Sequence, residues 1–171
     1  MPRKHRHLVH WTSLTVIAAV IAACAGTTSI QTSHPLLATD ATSEKSMVYF
    51  IRPDPGFRGV MDRPLTINLG GKELLSLSKG QYTLLPLTPG NADLKVHSHT
   101  VVGTSNTMTP VSTTTQLTFP ARETIYLVFE IIPQGGLSGS VFVPRRVSRE
   151  RALEATRGLV PIGMAIKEPL S

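Results

Sequence analysis

The chain has little of several residue types on which common functions depend. It is 171 residues long and contains one cysteine, so an internal disulfide is impossible. Aromatic residues make up 5% of the chain, which argues against a large aromatic-lined pocket or a surface that stacks nucleic-acid bases. Apolar residues are 41% and charged residues 16%, a balance that allows one domain with a buried core.

Excess charge of one sign is also small once the N-terminus is set aside. The formal net charge is +6, but Arg3, Lys4 and Arg6 lie in the first 23 residues, which contain no acid. The remainder has 14 basic and 11 acidic residues, a net charge of +3. This mild charge argues against a nucleic-acid-binding protein.

No apolar run has the roughly 20 residues that a membrane-spanning helix needs. The continuous run from Val16 to Ala23 is short and follows a basic start, a pattern typical of a signal peptide. A true transmembrane anchor is the less favoured alternative. The sequence therefore predicts a signal peptide over residues 1–23.

The residues Ile21, Ala22, Ala23 and Cys24 end this run. They resemble the lipobox of bacterial lipoproteins, in which small residues precede an invariant cysteine. The resemblance implies that the Cys24 thiol carries a diacylglyceryl lipid. Because Ala25 follows instead of the Asp that often retains lipoproteins at the inner membrane, it also implies an outer-membrane anchor facing the periplasm. The alternative is a non-lipidated signal peptide with Cys24 a free thiol.

Residues 24–46 comprise Cys24 and a stretch dominated by Ser, Thr and Ala, with no visible periodicity. This composition predicts a flexible tether that reaches a few tens of Å from the bilayer. His34 lies in this stretch and is expected to be solvated.

Residues 47–171 are predicted to form an all-β domain. Short β-rich runs separated by Pro and Gly indicate a β-sandwich of seven or eight short strands. Ser148 and Gly158 delimit a short C-terminal helix over about 149–157, followed by an apolar tail. The expected strands include 47–52, 64–69, 81–87, 92–99, 116–119, 124–132 and 140–143.

Three local features are specific enough to test. Gly70-Gly71 marks a hairpin, and a three-residue loop over 70–72 would pair Ile67 with Leu75 and keep one face apolar. The polar stretch 104–115 is expected to be a long excursion or a ragged hairpin. Glu130 stands in the most apolar strand and is expected to point outward, since an unpaired buried Glu is rare.

A characteristic order of turns and strands over 47–132 is marked by Gly71-Lys72, Gly80, Tyr82, Leu87 and Pro89-Gly90. This order resembles a family of small bacterial lipoproteins of unassigned function, whose domain is similar to PEGA-type and prealbumin-like sandwiches. The resemblance implies an Ig-like or prealbumin-like sandwich and an envelope location, and it supplies no catalytic residues.

Candidate sites are few. The sequence has no G-x-S-x-G, P-loop, dinucleotide or H-E-x-x-H motif, so no catalytic residue and no cofactor is predicted. His97 and His99 share a strand face with Asp93, a weak candidate metal pair for which a solvated face is the favoured interpretation. One basic cluster could meet an anionic partner, or could be a solvated surface balanced by Glu150 and Glu154; it consists of Arg145, Arg146, Arg149, Arg151 and Arg157.

The leading hypothesis is a non-enzymatic lipoprotein whose sandwich binds an envelope protein or peptidoglycan. A structural accessory subunit of an envelope complex is the second hypothesis. A hydrolase with a site on loops 53–63 and 100–115 is the third.

Overall fold

The domain is a sandwich of two five-stranded sheets. The structure, a computed structural model, describes residues 28–39, 44–54, 56, 63–102, 107–134 and 139–171. Sheet A has the strand order β1-β4-β3-β6-β7 and sheet B the order β10-β5-β2-β8-β9. The elements are β1 Ser29–Ile30, β2 Ser46–Arg52, β3 Leu65–Leu69, β4 Lys72–Leu77, β5 Gln81–Leu87, β6 Gly90–Val102, β7 Thr107–Phe119, β8 Thr124–Pro133, β9 Ser140–Val147, helix α1 Arg149–Ala155, β10 Val160–Gly163 and a 3₁₀ turn Met164–Ile166.

The predicted all-β sandwich with a short C-terminal helix is confirmed, with more and longer strands than expected. β1 and β10 come from the segments predicted to be tether and tail. Sheet B is mixed, because β2 runs parallel to β8 and β10 runs parallel to β5. The local periodicity of a strand carries no information on which distant strand it joins, so these parallel pairings could not be predicted.

The two faces of sheet B are both buried, whereas sheet A is covered on one face only. The main core fills the space between the sheets and includes Phe50, Leu75 and Phe129. A second apolar cluster lies on the outer face of sheet B, where Ile51 and Leu84 pack beneath Ala152 of α1. This double cover explains why six of the seven residues of β2 are buried.

The β3–β4 hairpin combines the two registers that the sequence allows. The turn has two residues, Gly70 at φ 57° and Gly71 at φ 83°, so the predicted three-residue loop is wrong. A bulge at Leu74 then shifts the register, and the predicted pairing of Ile67 with Leu75 is confirmed. The bulge in β4, and not an extra residue in the loop, therefore keeps the apolar residues of the hairpin on one face.

The polar stretch 104–115, expected to be a long excursion or a ragged hairpin, is from Thr107 onward a regular strand that pairs antiparallel with β6. β7 pairs with β6 through thirteen consecutive residue pairs, from Gly90–Phe119 to Val102–Thr107. The β-branched Thr residues favour an extended backbone, and the hydroxyl side chains at 112, 114 and 118 lie on the exposed face. Only 116–119 was predicted as a strand, because Thr residues on both faces over 113–115 remove the polar–apolar alternation there.

Arg52 joins the two sheets through the core. It is 1% exposed, its Nη1 donates to the carbonyl oxygen of Leu77 at 2.7 Å, and its guanidinium lies 5.3 Å from the ring centroid of Phe142. These contacts connect β2 and β9 of sheet B with β4 of sheet A. The buried cation therefore fixes the relative position of the sheets at this end of the sandwich.

The C-terminal segment covers the outer face of sheet B. The Ser148 hydroxyl caps α1 by accepting a hydrogen bond from the backbone of Arg151 at 3.3 Å. Beyond the helix, the Tyr49 hydroxyl donates to the Glu168 carbonyl oxygen at 3.1 Å, and the Tyr49 and Tyr126 rings are stacked 5.5 Å apart. The apolar tail after the helix thus packs on sheet B, where Leu159, Met164 and Leu170 join the second apolar cluster.

Replacing Tyr49 should test how this tail is held. Burial, followed by the negative potentials of Tyr126 and Glu168, raises the pKa of the Tyr49 hydroxyl above its ordinary value. The folded state then keeps a proton that the unfolded state releases, so stability should fall as pH rises above about 10. Tyr49→Phe should lower the free energy of unfolding by about 1 kcal/mol at pH 7 and reduce that alkaline loss.

Urea denaturation at about pH 7 and about pH 10.5 measures both effects. Tyr126→Phe is the matched control, because it leaves the hydrogen bond to Glu168 in place. An alkaline loss in Tyr49→Phe as large as that of the original protein would contradict this role of the hydroxyl.

Candidate functional site

Residues 28–39 pack along one edge of the sandwich, so the prediction of a flexible tether over 24–46 is wrong for this part. β1 pairs antiparallel with β4. Gln31 donates to the Leu74 carbonyl in sheet A at 2.9 Å, and Ala38 donates to the Pro86 carbonyl in sheet B at 3.0 Å. We call residues 28–39 the leading segment. It closes the edge that the two sheets leave between β4 and β5.

His34 fastens the leading segment and is not solvated as predicted. It is 5% exposed, and its Nε2 lies 3.0 Å from the Leu69 carbonyl oxygen and 3.3 Å from that of Lys72. Its Nδ1 accepts the backbone N–H of Leu36 at 3.1 Å. These partners assign the neutral ring with the proton on Nε2. The imidazole therefore bridges the leading segment and the end of the β3–β4 hairpin.

A largely apolar groove of about 860 Å³ lies between the leading segment and the C-terminal tail. Ile30, Leu37, Pro86 and Met164 are among its lining residues. Its titratable side chains are His34, which is engaged with backbone groups, and Lys167. The lining also includes the hydroxyl residues Thr32, Ser33 and Thr39, and no carboxylate is among the described residues that line the groove.

The predicted basic cluster is largely compensated by acceptors. Three of its arginines form ion pairs: Arg145 Nε lies 3.7 Å from Glu130 Oε2, Arg146 Nη2 lies 3.0 Å from Glu123 Oε2, and Arg151 Nη1 lies 2.6 Å from Glu154 Oε2. Arg149 donates to the backbone oxygen of Ser171, while Arg157 follows α1 on the surface. Exposed pairs of this kind contribute little to stability. They also leave less free positive charge for an anionic partner than the five arginines alone suggested.

Glu130 is exposed, as predicted, and its partner Arg145 explains how a carboxylate stands in so apolar a strand.

His97 and His99 lie on the outer face of β6, half-buried, and Asp93 lies exposed on the same face. Asp93 is four residues from His97 along the strand, which separates their α-carbons by about 13 Å. Across the described ranges, no three His, Cys, Asp or Glu side chains lie close enough together to hold a metal ion. The weak metal pair therefore lacks a third ligand there.

The free edge of sheet A is β7. This strand is thirteen residues long, contains one proline at position 110 and carries no charged residue. Within the described part of the chain, no strand pairs with its second side. The neighbouring edge strand β9 differs, because its Phe142 carbonyl accepts the Thr113 hydroxyl and its Ser140 N–H donates to the Thr100 hydroxyl at 2.9 Å. We call β7 the open edge because no described strand adds to its outer side, whereas side-chain hydrogen bonds occupy two backbone groups of β9.

Cys24 and the predicted signal peptide over residues 1–23 lie outside the described residues. Among the helices that the structure describes, none has the length and apolar character needed to cross a bilayer. Of the two loops considered for a hydrolytic site, residues 100–102 and 107–115 are strand, and most of 53–63 falls outside the described residues. Comparison with protein-family models, curated proteins and solved structures finds no match for this chain.

Nothing in the sequence marked His34 or the open edge as structural features. His34 stands in a polar segment without periodicity, and its partners are backbone carbonyls, which leave no sequence signal. Pro35 and the pair Leu36-Leu37 were the available hint, because an apolar pair in a polar segment often packs on a neighbouring surface.

His34→Ala should detach the leading segment. The change removes one buried side-chain donor and one acceptor, with an expected cost of roughly 2–3 kcal/mol in the free energy of unfolding. His34→Gln should lose less, because its amide can still donate to a carbonyl oxygen. Ser33→Ala, at an exposed neighbouring position, is the control.

Urea denaturation gives the stabilities, and limited proteolysis reports whether residues 28–39 are released. Equal midpoints and equal cleavage for His34→Ala and Ser33→Ala would rule out this role for His34.

Proposed function

We propose that this protein is a lipid-anchored envelope protein whose sandwich binds an extended segment of a partner at the β7 edge, and that it is not an enzyme. The observation that carries the proposal is the open, uncharged β7 edge on the side opposite the leading segment. An exposed edge presents a row of backbone donors and acceptors, to which another strand can add.

The arrangement of sheet A supports a division between an anchored edge and a binding edge. β1 and β7 are its two outer strands, about 19 Å apart at ordinary strand spacing. The leading segment, which follows Cys24 in the sequence, lies at the β1 edge. A lipid on Cys24 would thus hold that edge to the outer membrane and leave β7 directed away from it, toward partners in the periplasm.

Strand addition fits the chemistry of β7 better than capture of an anion by the basic cluster. Natural edge strands are commonly protected by charges, and β7 has none in its thirteen residues. The arginines of the cluster, in contrast, mostly have acceptors within the domain. A protein partner is therefore the first proposal, and peptidoglycan the second.

A permanent place in an envelope complex is the alternative function. It would use the same edge, and the two functions differ in how long the partner stays bound. Isolation in high salt separates them, because a structural subunit should remain with its complex.

Two charges on β7 should abolish partner binding. In intact cells, crosslinking followed by affinity isolation of the lipidated protein should recover a specific partner, and the double variant Ser112→Lys, Gln116→Lys should lose it because charges at a strand edge oppose pairing. Both positions are exposed, so the fold should remain intact.

The matched control is Asp93→Lys. It makes the same +2 change in charge on the same face, opposite Gln116 but on the interior strand β6, and should retain the partner. Equal recovery with all three proteins, or loss with the control alone, would contradict binding at β7.

Cys24→Ala should move the protein out of the outer-membrane fraction and remove the lipid mass from its N-terminal peptide. Fractionation of cells and mass spectrometry of that peptide measure the two effects. An unmodified Cys24 in the original protein would overturn the lipid anchor. Binding at β7 would still be decided by its own experiment.

A further inference from the structure

The docked leading segment leaves a very short connection to the proposed lipid. Thr28 is already fixed on the sandwich, since its hydroxyl is hydrogen-bonded to the Ser78 hydroxyl at 2.9 Å and to the Gln81 side-chain oxygen. Cys24 is four residues earlier, so even a fully extended chain separates the two α-carbons by at most roughly 14 Å. The distance available is far smaller than the few tens of Å expected of a free 22-residue tether.

The exposed apolar side chains lie at the same edge. Within the described residues, the large apolar side chains that are exposed are Val160, at 58%, and Ile166, at 65%. Val160 pairs with Gln81, the residue that Thr28 contacts, and its N–H donates to the Gly80 carbonyl at 2.9 Å. Ile166 ends the 3₁₀ turn whose Met164 lines the groove opposite Ile30.

The leading segment and the tail form one continuous surface. A Cβ atom on Gly163 would come within 2.7 Å of Ile30 Cδ1 and 3.0 Å of Thr83 Oγ1, so the two segments are in close contact there. Lys167, exposed next to Ile166, adds a cation at the rim of the groove. Apolar side chains beside a lysine are the chemistry of a surface that meets lipid headgroups and acyl chains.

From these observations we infer that the edge formed by the leading segment, β10 and the 3₁₀ turn lies against the bilayer that holds the Cys24 lipid, with Val160 and Ile166 entering its interface. This inference rests on the proposed lipid anchor. The short connection from Cys24 to Thr28 brings this edge to the membrane, and insertion of the exposed apolar pair into the interface stabilises the contact. The domain is then held in one orientation, with β7 facing away from the bilayer.

Single thiols can report this contact in the full-length lipidated protein. Cys24 is the one native cysteine, and its thiol is blocked when it carries lipid, so Ile166→Cys, Val160→Cys and Thr114→Cys each add one reactive thiol. Each variant carries an environment-sensitive fluorophore and is reconstituted in vesicles of phosphatidylethanolamine and phosphatidylglycerol at a low protein-to-lipid ratio. A fraction of the lipids bears nitroxide groups, which quench a fluorophore only on close approach.

The labels at positions 166 and 160 should be quenched several-fold more than the label at position 114, which is exposed on the opposite edge strand β7. Equal weak quenching at all three positions would overturn the membrane contact. A second copy of the protein would be the occupant if the label at 166 is not quenched and the free thiol of unlabelled Ile166→Cys is protected from a maleimide reagent only at high protein density. That result would also overturn the membrane contact.

The same samples separate this inference from the proposed function. Mass spectrometry of the N-terminal peptide shows whether Cys24 is lipidated. A lipidated protein with an unquenched label at position 166 would refute the membrane-facing edge alone, whereas an unmodified Cys24 would refute the anchor and the inference together.

Discussion

The attachment of residues 28–39 through His34 is the constraint on which the arrangement of this protein depends. One imidazole binds the carbonyls at the end of the β3–β4 hairpin and the N–H of Leu36. The backbone N–H groups of Gln31 and Ala38 also attach the segment by hydrogen bonds, the first to sheet A and the second to sheet B. The segment therefore closes one side of the sandwich and forms one wall of the groove against the tail. It also keeps the chain in contact with the fold as far back as Thr28, which is four residues after Cys24.

The other side of the sandwich is held differently. There, the hydroxyl groups of Thr100 and Thr113 form hydrogen bonds with backbone groups of β9. Among the described residues, no strand adds to the outer side of β7. The two sheet edges thus have opposite characters, one covered by the protein's own chain and one open. This asymmetry, more than any cluster of polar residues, is the reason for our proposal that the protein is a binding module.

The sequence allowed the sandwich, the hairpin pairing and the C-terminal helix to be predicted because each has a local cause. Alternating apolar residues, Gly70-Gly71 and the Ser148 cap act within a few residues of themselves. The leading segment, Arg52 and the parallel pairing of β2 with β8 could not be predicted, because their partners are backbone groups or strands far along the chain. Only the end of β7, over 116–119, was predicted as a strand, because threonine on both faces over 113–115 removes the polar–apolar alternation that marks a strand.

Hydrogen exchange of the full-length protein tests the central claim most directly. If the leading segment is docked, the amides of Gln31, Leu37 and Ala38, each of which donates to a backbone carbonyl, should exchange slowly, in the range of the neighbouring sheet amides. Exchange of these three amides at the rate of an unstructured peptide, with the sheets still protected, would contradict it and restore the long flexible tether.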